Sequence, residues 1–446
     1  MTGYRQAIMR TARISLLLLA GMAAQAAELS AGAGKAAIAI PASVFPVDGF
    51  TGVHDALQAR VLLLASGPKR IAITVVDQTS ISGESVRQIQ DIVSQATGAA
   101  SEDILVCASH TFSAPHVLPP EHQAAADAAP GAALQRAIAE AVRRAATEAR
   151  QGLRPARMGF GLGSSSVNVN RDVRTAAGWW LGANDSGVSD KSLGIVRFDD
   201  LDGHPFALLM NYAVQSSVMD AARMSDGGLR VSADLAGAAT REVEQRFGGG
   251  LVSLFLVGAA GDQAPYLSAN RHALDGKGND SRIDLHEAGY PLLELQGERL
   301  GGAAVDTGKQ IRADQAAPTL RLVRASVTVA AQASSPPAHP VLHYRFTPDG
   351  TADVPVWLLQ IGDTVLVGVQ AELSSQTGLD LKRRSPYPHT LILTMVNGAA
   401  KYLPDAASFD RISYEAMSSR YAAGAAEIVS ARIIGLLDAL HTDAAR

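Results

Sequence analysis

Ile104-Leu-Val-Cys-Ala-Ser-His-Thr-Phe-Ser-Ala-Pro-His116 changes character halfway along. Ile104 to Ala108 is a continuous apolar run, too short for a helix, and reads as a buried strand. Beyond it the chain turns polar, with His110, Thr111, Ser113 and His116 grouped around Pro115. Open α/β sheets place their chemistry in loops just past the carboxyl ends of strands. His110 is therefore the point on which a candidate site should converge. Cys107, the only cysteine, excludes an internal disulfide. Its apolar run favours a small core residue over a catalytic thiol.

Working outward, strands are expected over residues 31–41, 60–64 and 70–76, the last ending in Asp77. An amphipathic helix follows over residues 84–96, with Val86, Ile89, Ile92 and Val93 on one face and Gly98 as its stop. A long Ala-rich helix spans about residues 131–151. Gly159-Phe-Gly-Leu-Gly163 superficially suggests a phosphate loop, but the alternation after it is strand-like, so no nucleotide site is expected. Further strands are read at 193–198, 206–214, 251–257, 320–329, 356–369 and 391–395, with helices at 235–247 and 415–440. Alternating strands and helices indicate an α/β class, a mixed sheet core flanked by helices.

Several strand ends then donate one polar group each. Gln215-Ser216-Ser217 follows 206–214, and Gly258-Ala-Ala-Gly-Asp-Gln-Ala-Pro265 follows 251–257. Gln370-Ala-Glu372 follows 356–369, and Tyr402 lies beyond 391–395. Singly, such residues cap helices or satisfy turns. Glu372 says more, because an acid ending an apolar strand must be paired, solvated or metal-bound.

Of 446 residues, 47% are hydrophobic and 18% charged, enough for one large domain or two modest ones. Arg5, Arg10 and Arg13, the apolar run 14–24 and Ala24-Gln25-Ala26 read as a secretory signal peptide over residues 1–27. An exported protein, periplasmic or secreted, is expected, and an uncleaved anchor is the alternative. Removing residues 1–26 moves the formal charge from −4 to −7, which argues against nucleic acid as a partner.

The ordered set of motifs resembles the amino-terminal catalytic domain of the neutral/alkaline, non-lysosomal ceramidases. The matching stretches are Ala31-Gly-Ala-Gly-Lys-Ala-Ala-Ile, Gly52-Val-His-Asp-Ala-Leu-Gln-Ala-Arg60, Ser109-His-Thr-Phe-Ser-Ala-Pro115 and Val169-Asn-Arg171. They continue through Asp202-Gly-His-Pro-Phe-Ala-Leu-Leu-Met-Asn-Tyr-Ala-Val214, Leu229-Arg-Val-Ser-Ala-Asp-Leu-Ala-Gly237, the 258–265 loop, Ile361-Gly-Asp and Ala371-Glu372. The resemblance implies one catalytic-type domain over residues 28–446, without the family's carboxy-terminal immunoglobulin-like domain.

It further implies amide hydrolysis with one zinc ion, held by His110, Glu372 and Tyr402, with Gln215 where a further ligand histidine is expected. Arg171 matches an arginine that holds the substrate or its oxyanion. On a zinc-hydrolase reading, a metal-bound water assisted by Glu372 or His116 is the expected attacking group, and an N-acyl lipid the expected substrate. Three departures stand out: Phe112 replaces a second loop histidine, Gln215 a ligand, and Ala264 a serine proposed as nucleophile. A carboxamide is a poorer zinc ligand than imidazole.

Three readings follow: a zinc hydrolase in which His116 replaces the lost ligand, a non-catalytic relative binding a lipid or small molecule, and another chemistry such as ester hydrolysis. Peripheral membrane contact fits a lipid substrate, and no obligate protein partner is implied. His204, His272, His286 and His389 read as surface or turn histidines, and Asp234 and Asp262 as loop-holding acids.

Overall fold

The computed structural model describes residues 28–117, 128–274 and 280–444. The signal-peptide reading lies outside them. Among the described residues no helix is long and apolar enough to cross a membrane.

Three sheets turn apolar faces toward one central core. The first orders its strands Ile104–Ala108, Lys69–Val76, Gln58–Ser66, Leu29–Ala37 and Arg154–Pro155. Its first two strands are parallel and the rest antiparallel. The second runs Val252–Val257, Pro205–Tyr212, Ser192–Asp199 and Arg157–Ser164, the first pair parallel. The third runs Leu320–Gln332, Pro348–Ile361, Thr364–Val369 and His389–Leu393, the last pair parallel. Leu62, Ile73 and Leu105 of the first sheet meet Leu209 and Leu254 of the second and Leu366 and Leu391 of the third. This is the mixed α/β class expected.

Helices cover the outer faces. Gly83–Thr97 and Ala128–Gln151 close the first sheet through Ile89, Val93, Leu134 and Val142. Ser82 caps the former by accepting from Ser85 N, and Gly98 ends it at φ 73°. Gly32 and Gly34 let the latter helix lie on its strand, since a Cβ there would sit 2.2 Å from the carbonyls of Ala149 and Ala145. Cys107 lies in the central core, where burial pushes its thiol up to about 12. That agrees with a core role.

Two local expectations fail. The 356–369 segment is a hairpin, broken at Gly362, whose φ is 62°. The 415–440 helix is two, Tyr414–Ser418 and Ala425–Ala444, parted at Gly424 with φ 85°. A further helix, Gly289–Gln310, forms in a stretch the sequence reading left unassigned, although its glycines lower helix propensity. Those glycines allow close packing instead: a Cβ at Gly297 would lie 2.3 Å from Ala238 Cβ on the helix Asp234–Phe247. The 159–163 glycines belong to a strand paired with Ser192–Asp199, and they hold no phosphate-loop geometry.

Candidate active site

The loops beyond the strands are tied to one another by short pairings. Thr111 bridges Ser216 in parallel, and Phe112 N donates to Ser216 O at 3.0 Å. His110 and Gln215 are thereby set side by side. Glu372–Leu373 pairs in parallel with Tyr402–Leu403, with Glu372 directly opposite Tyr402. Arg171, on the strand Asn168–Thr175, is anchored by its N donating to Asp262 O at 2.9 Å. His110 sits at φ 60°, a strained backbone held because Nδ1 donates to Thr79 O at 2.5 Å.

All five side chains are buried. His110 Nε2 lies 3.2 Å from Glu372 Oε2. Gln215 Nε2 donates to the same oxygen at 3.1 Å and to Ala260 O at 3.2 Å. Arg171 Nη1 donates to Gln215 Oε1 at 2.8 Å, and its Nε donates to Glu415 Oε1 at 2.7 Å. The guanidinium carbon stands 5.2 Å from the Tyr402 ring centre and 5.9 Å from that of Tyr414.

Burial pulls the His110 pKa down, but the Glu372 carboxylate and the Thr79 carbonyl outweigh it, and the net shift is upward. Burial raises the Tyr402 phenol, and Glu372 adds to this while Arg171 opposes it. Burial and the Glu415 carboxylate push Asp172 well above the usual range, and the Arg411 guanidinium opposes them. Glu415, the charge partner of Arg171, escaped the sequence reading. The available signal was an acid in a short run of otherwise small and apolar residues.

No protein-family model and no curated protein sequence matches the chain. Among solved structures, neutral ceramidase from Pseudomonas aeruginosa superposes with a TM-score of 0.69 at 16% identity, over 92% of this chain and 73% of that one. A ceramidase complexed with C2 superposes at 0.68 and 16% identity, over 92% of this chain and 74% of that one. The chain has the neutral ceramidase fold.

Within this ceramidase fold the donor set fits a zinc ion in part. Because His110 Nδ1 donates to a carbonyl, Nε2 is the ligand-type nitrogen, the arrangement usual for a metal-bound histidine. Tetrahedral zinc holds neighbouring N and O ligand atoms about 3.3 Å apart, and the His110–Glu372 separation of 3.2 Å is close to that. Tyr402 lies opposite Glu372 in the strand pairing, and its ring stands beside the Arg171 guanidinium. Gln215 reaches the cluster but presents its nitrogen to Glu372, because Arg171 claims its oxygen. Turning the amide to ligate a metal would set its NH₂ against the guanidinium. In this arrangement Gln215 offers Glu372 its nitrogen and Arg171 its oxygen.

His116 is not brought into the buried cluster. It is exposed, and its Nδ1 lies 2.6 Å from Asp48 Oδ2, so it does not replace a lost ligand. Phe112 sets the edge of its ring against His110 at 4.8 Å between centres. Ala264 pairs with Val169 in a short strand. Asp262 accepts from Ser375 N, and Asp234 from Val218 N and Met219 N, each at 2.8 Å; both hold loops as expected. His204 and His286 are exposed and His272 and His389 half-buried, away from the cluster. His204 groups with Asp200 and Asp202 in a surface turn.

Proposed function

We propose that the chain is an exported, zinc-dependent hydrolase that cleaves the linear amide of an N-acyl lipid of the ceramide type. The observation that carries this reading is the meeting of His110 Nε2 and Glu372 Oε2 at 3.2 Å inside a neutral ceramidase fold. His110, Glu372 and Tyr402 are the residues that would hold the metal. Bound there, zinc would supply Lewis acidity and make water a nucleophile near neutral pH.

The chain's own side chains do the rest. Arg171, held by Glu415, faces the carbonyl oxygen and stabilises the negative charge that develops on it. Glu372 Oε2 is occupied by His110 and Gln215, so Oε1 is the oxygen that takes the proton of the attacking water. Ala264 offers no hydroxyl, which leaves attack to water.

One observation favours a second reading, a lipid- or small-molecule-binding protein on this scaffold. Gln215 links Arg171 to Glu372 and closes the polar network without a metal.

Metal analysis of the purified protein separates the two. The hydrolase reading expects about one zinc per chain, lost in His110→Ala, and release of fatty acid from a short-chain N-acyl sphingosine. Less than about a tenth of a zinc per chain in both proteins overturns it, since such sites hold zinc tightly.

A further inference from the structure

Three strands lead to the three residues that would hold the metal: Ile104–Ala108 to His110, Thr364–Val369 to Glu372 and His389–Leu393 to Tyr402. The loop over residues 394–401 joins the last strand to Tyr402 and touches the other two. Val396 bridges Cys107, and its N donates to Val369 O at 3.2 Å. Met395, Asn397 and Lys401 are held at φ 59°, 53° and 53°. Left-handed backbone at non-glycine residues costs free energy and persists where the surroundings over-determine it.

Asn397 shows how. Ile104–Ala108 is an edge strand of its sheet, and its Val106 is buried. Asn397 meets both main-chain groups of Val106: its N donates to Val106 O at 2.7 Å, and its Oδ1 accepts from Val106 N at 2.8 Å. Left unpaired, each of those groups would carry the desolvation cost of a buried amide. Asn397 O accepts from Gln370 Nε2 at 2.9 Å, two residues before Glu372. Glycine at the next position keeps that bond, because a Cβ on Gly398 would stand 2.5 Å from the same nitrogen. The loop then closes with Lys401 O accepting from Glu372 N at 2.8 Å, which sets Glu372 opposite Tyr402.

We propose that Asn397 is the positioning residue of the candidate active site. By fastening the strand before His110 to the segments that carry Glu372 and Tyr402, it fixes how far apart the three stand. The proposal rests on the hydrolase reading only for what those residues hold.

The test compares wild type with Asn397→Gly, which keeps the left-handed backbone and removes the amide, and Asn397→Asp, which keeps both the backbone and an acceptor for Val106 N. In metal-free protein, amide hydrogen exchange in Asn397→Gly should quicken roughly tenfold or more over residues 104–112, 369–373 and 399–403 together. The helix Gly289–Gln310 should keep its wild-type protection. Chelator competition should show zinc held about 10–100-fold more weakly by Asn397→Gly, with affinity restored in Asn397→Asp. Quickening confined to residues 104–108 overturns the proposal, because Asn397 would then cap one strand and couple nothing. Unchanged zinc affinity in Asn397→Gly, or an equal loss in Asn397→Asp, overturns it as well. Wild type without zinc would sink the hydrolase reading, and the exchange pattern would still decide whether Asn397 couples the three segments.

Discussion

Gln215→His exchanges a carboxamide for an imidazole at the point where two demands meet. Gln215 Oε1 accepts from Arg171 Nη1 at 2.8 Å while Nε2 donates to Glu372. Imidazole cannot copy both bonds with the same geometry, and a bond to a charged group is worth roughly 1.5–3 kcal/mol. The metal-free variant should therefore be less stable than wild type by about 2 kcal/mol. Zinc should bind it more tightly. Outer-shell partners already change metal affinity by about 10–100-fold, so a new direct ligand should give at least about 100-fold, roughly 2.7 kcal/mol. The stability order must then invert: below wild type without metal, above it with saturating zinc. Chelator competition reads the affinity, and thermal melts with and without zinc read the inversion. Unchanged affinity beside a lowered metal-free Tm would refute the reasoning, since residue 215 would then serve Arg171 alone.

Other outcomes can be checked alongside. The folded pKa of His110 is raised, so its contribution to stability is full below the unfolded histidine value and fades as pH rises through the folded one. In urea unfolding of metal-free protein, the gap between wild type and His110→Ala should therefore shrink with rising pH; a widening gap would contradict the Glu372 pairing. Arg171→Met, combined with Glu415→Gln so that no lone carboxylate is buried, should lower kcat by roughly 100-fold or more with KM little changed. A rise in KM at constant kcat would recast Arg171 as a binding residue. Gly34→Val would drive its Cβ into the Ala145 carbonyl, 2.2 Å away. It should cost about 3 kcal/mol in denaturant midpoint experiments, and a neutral result would mean the Ala128–Gln151 helix can shift off its strand.

Much of the scaffold was legible because burial leaves a local imprint. The Ile104–Ala108 run, the apolar stripe of residues 84–96 and the strand ends bearing His110, Gln215 and Glu372 all came from periodicity and residue type. What misled was local evidence with a distant cause. The helix Gly289–Gln310 left no such imprint, because its glycines serve to admit a neighbouring helix. His116 looked like a ligand held near His110, yet the loop turns it outward to Asp48.

The sequence by itself determined the inventory: which segments bury a face, and which loops hold an imidazole, a carboxylate, a phenol and a guanidinium. Only the tertiary structure decided that residues 110, 171, 372 and 402 meet, that Glu415 is the partner of Arg171, and that Gln215 turns its nitrogen to Glu372. The reason is physical. Periodicity reports how a segment faces its immediate surroundings, whereas convergence depends on which strands pair across hundreds of residues, and an amide's orientation depends on whichever charge arrives beside it.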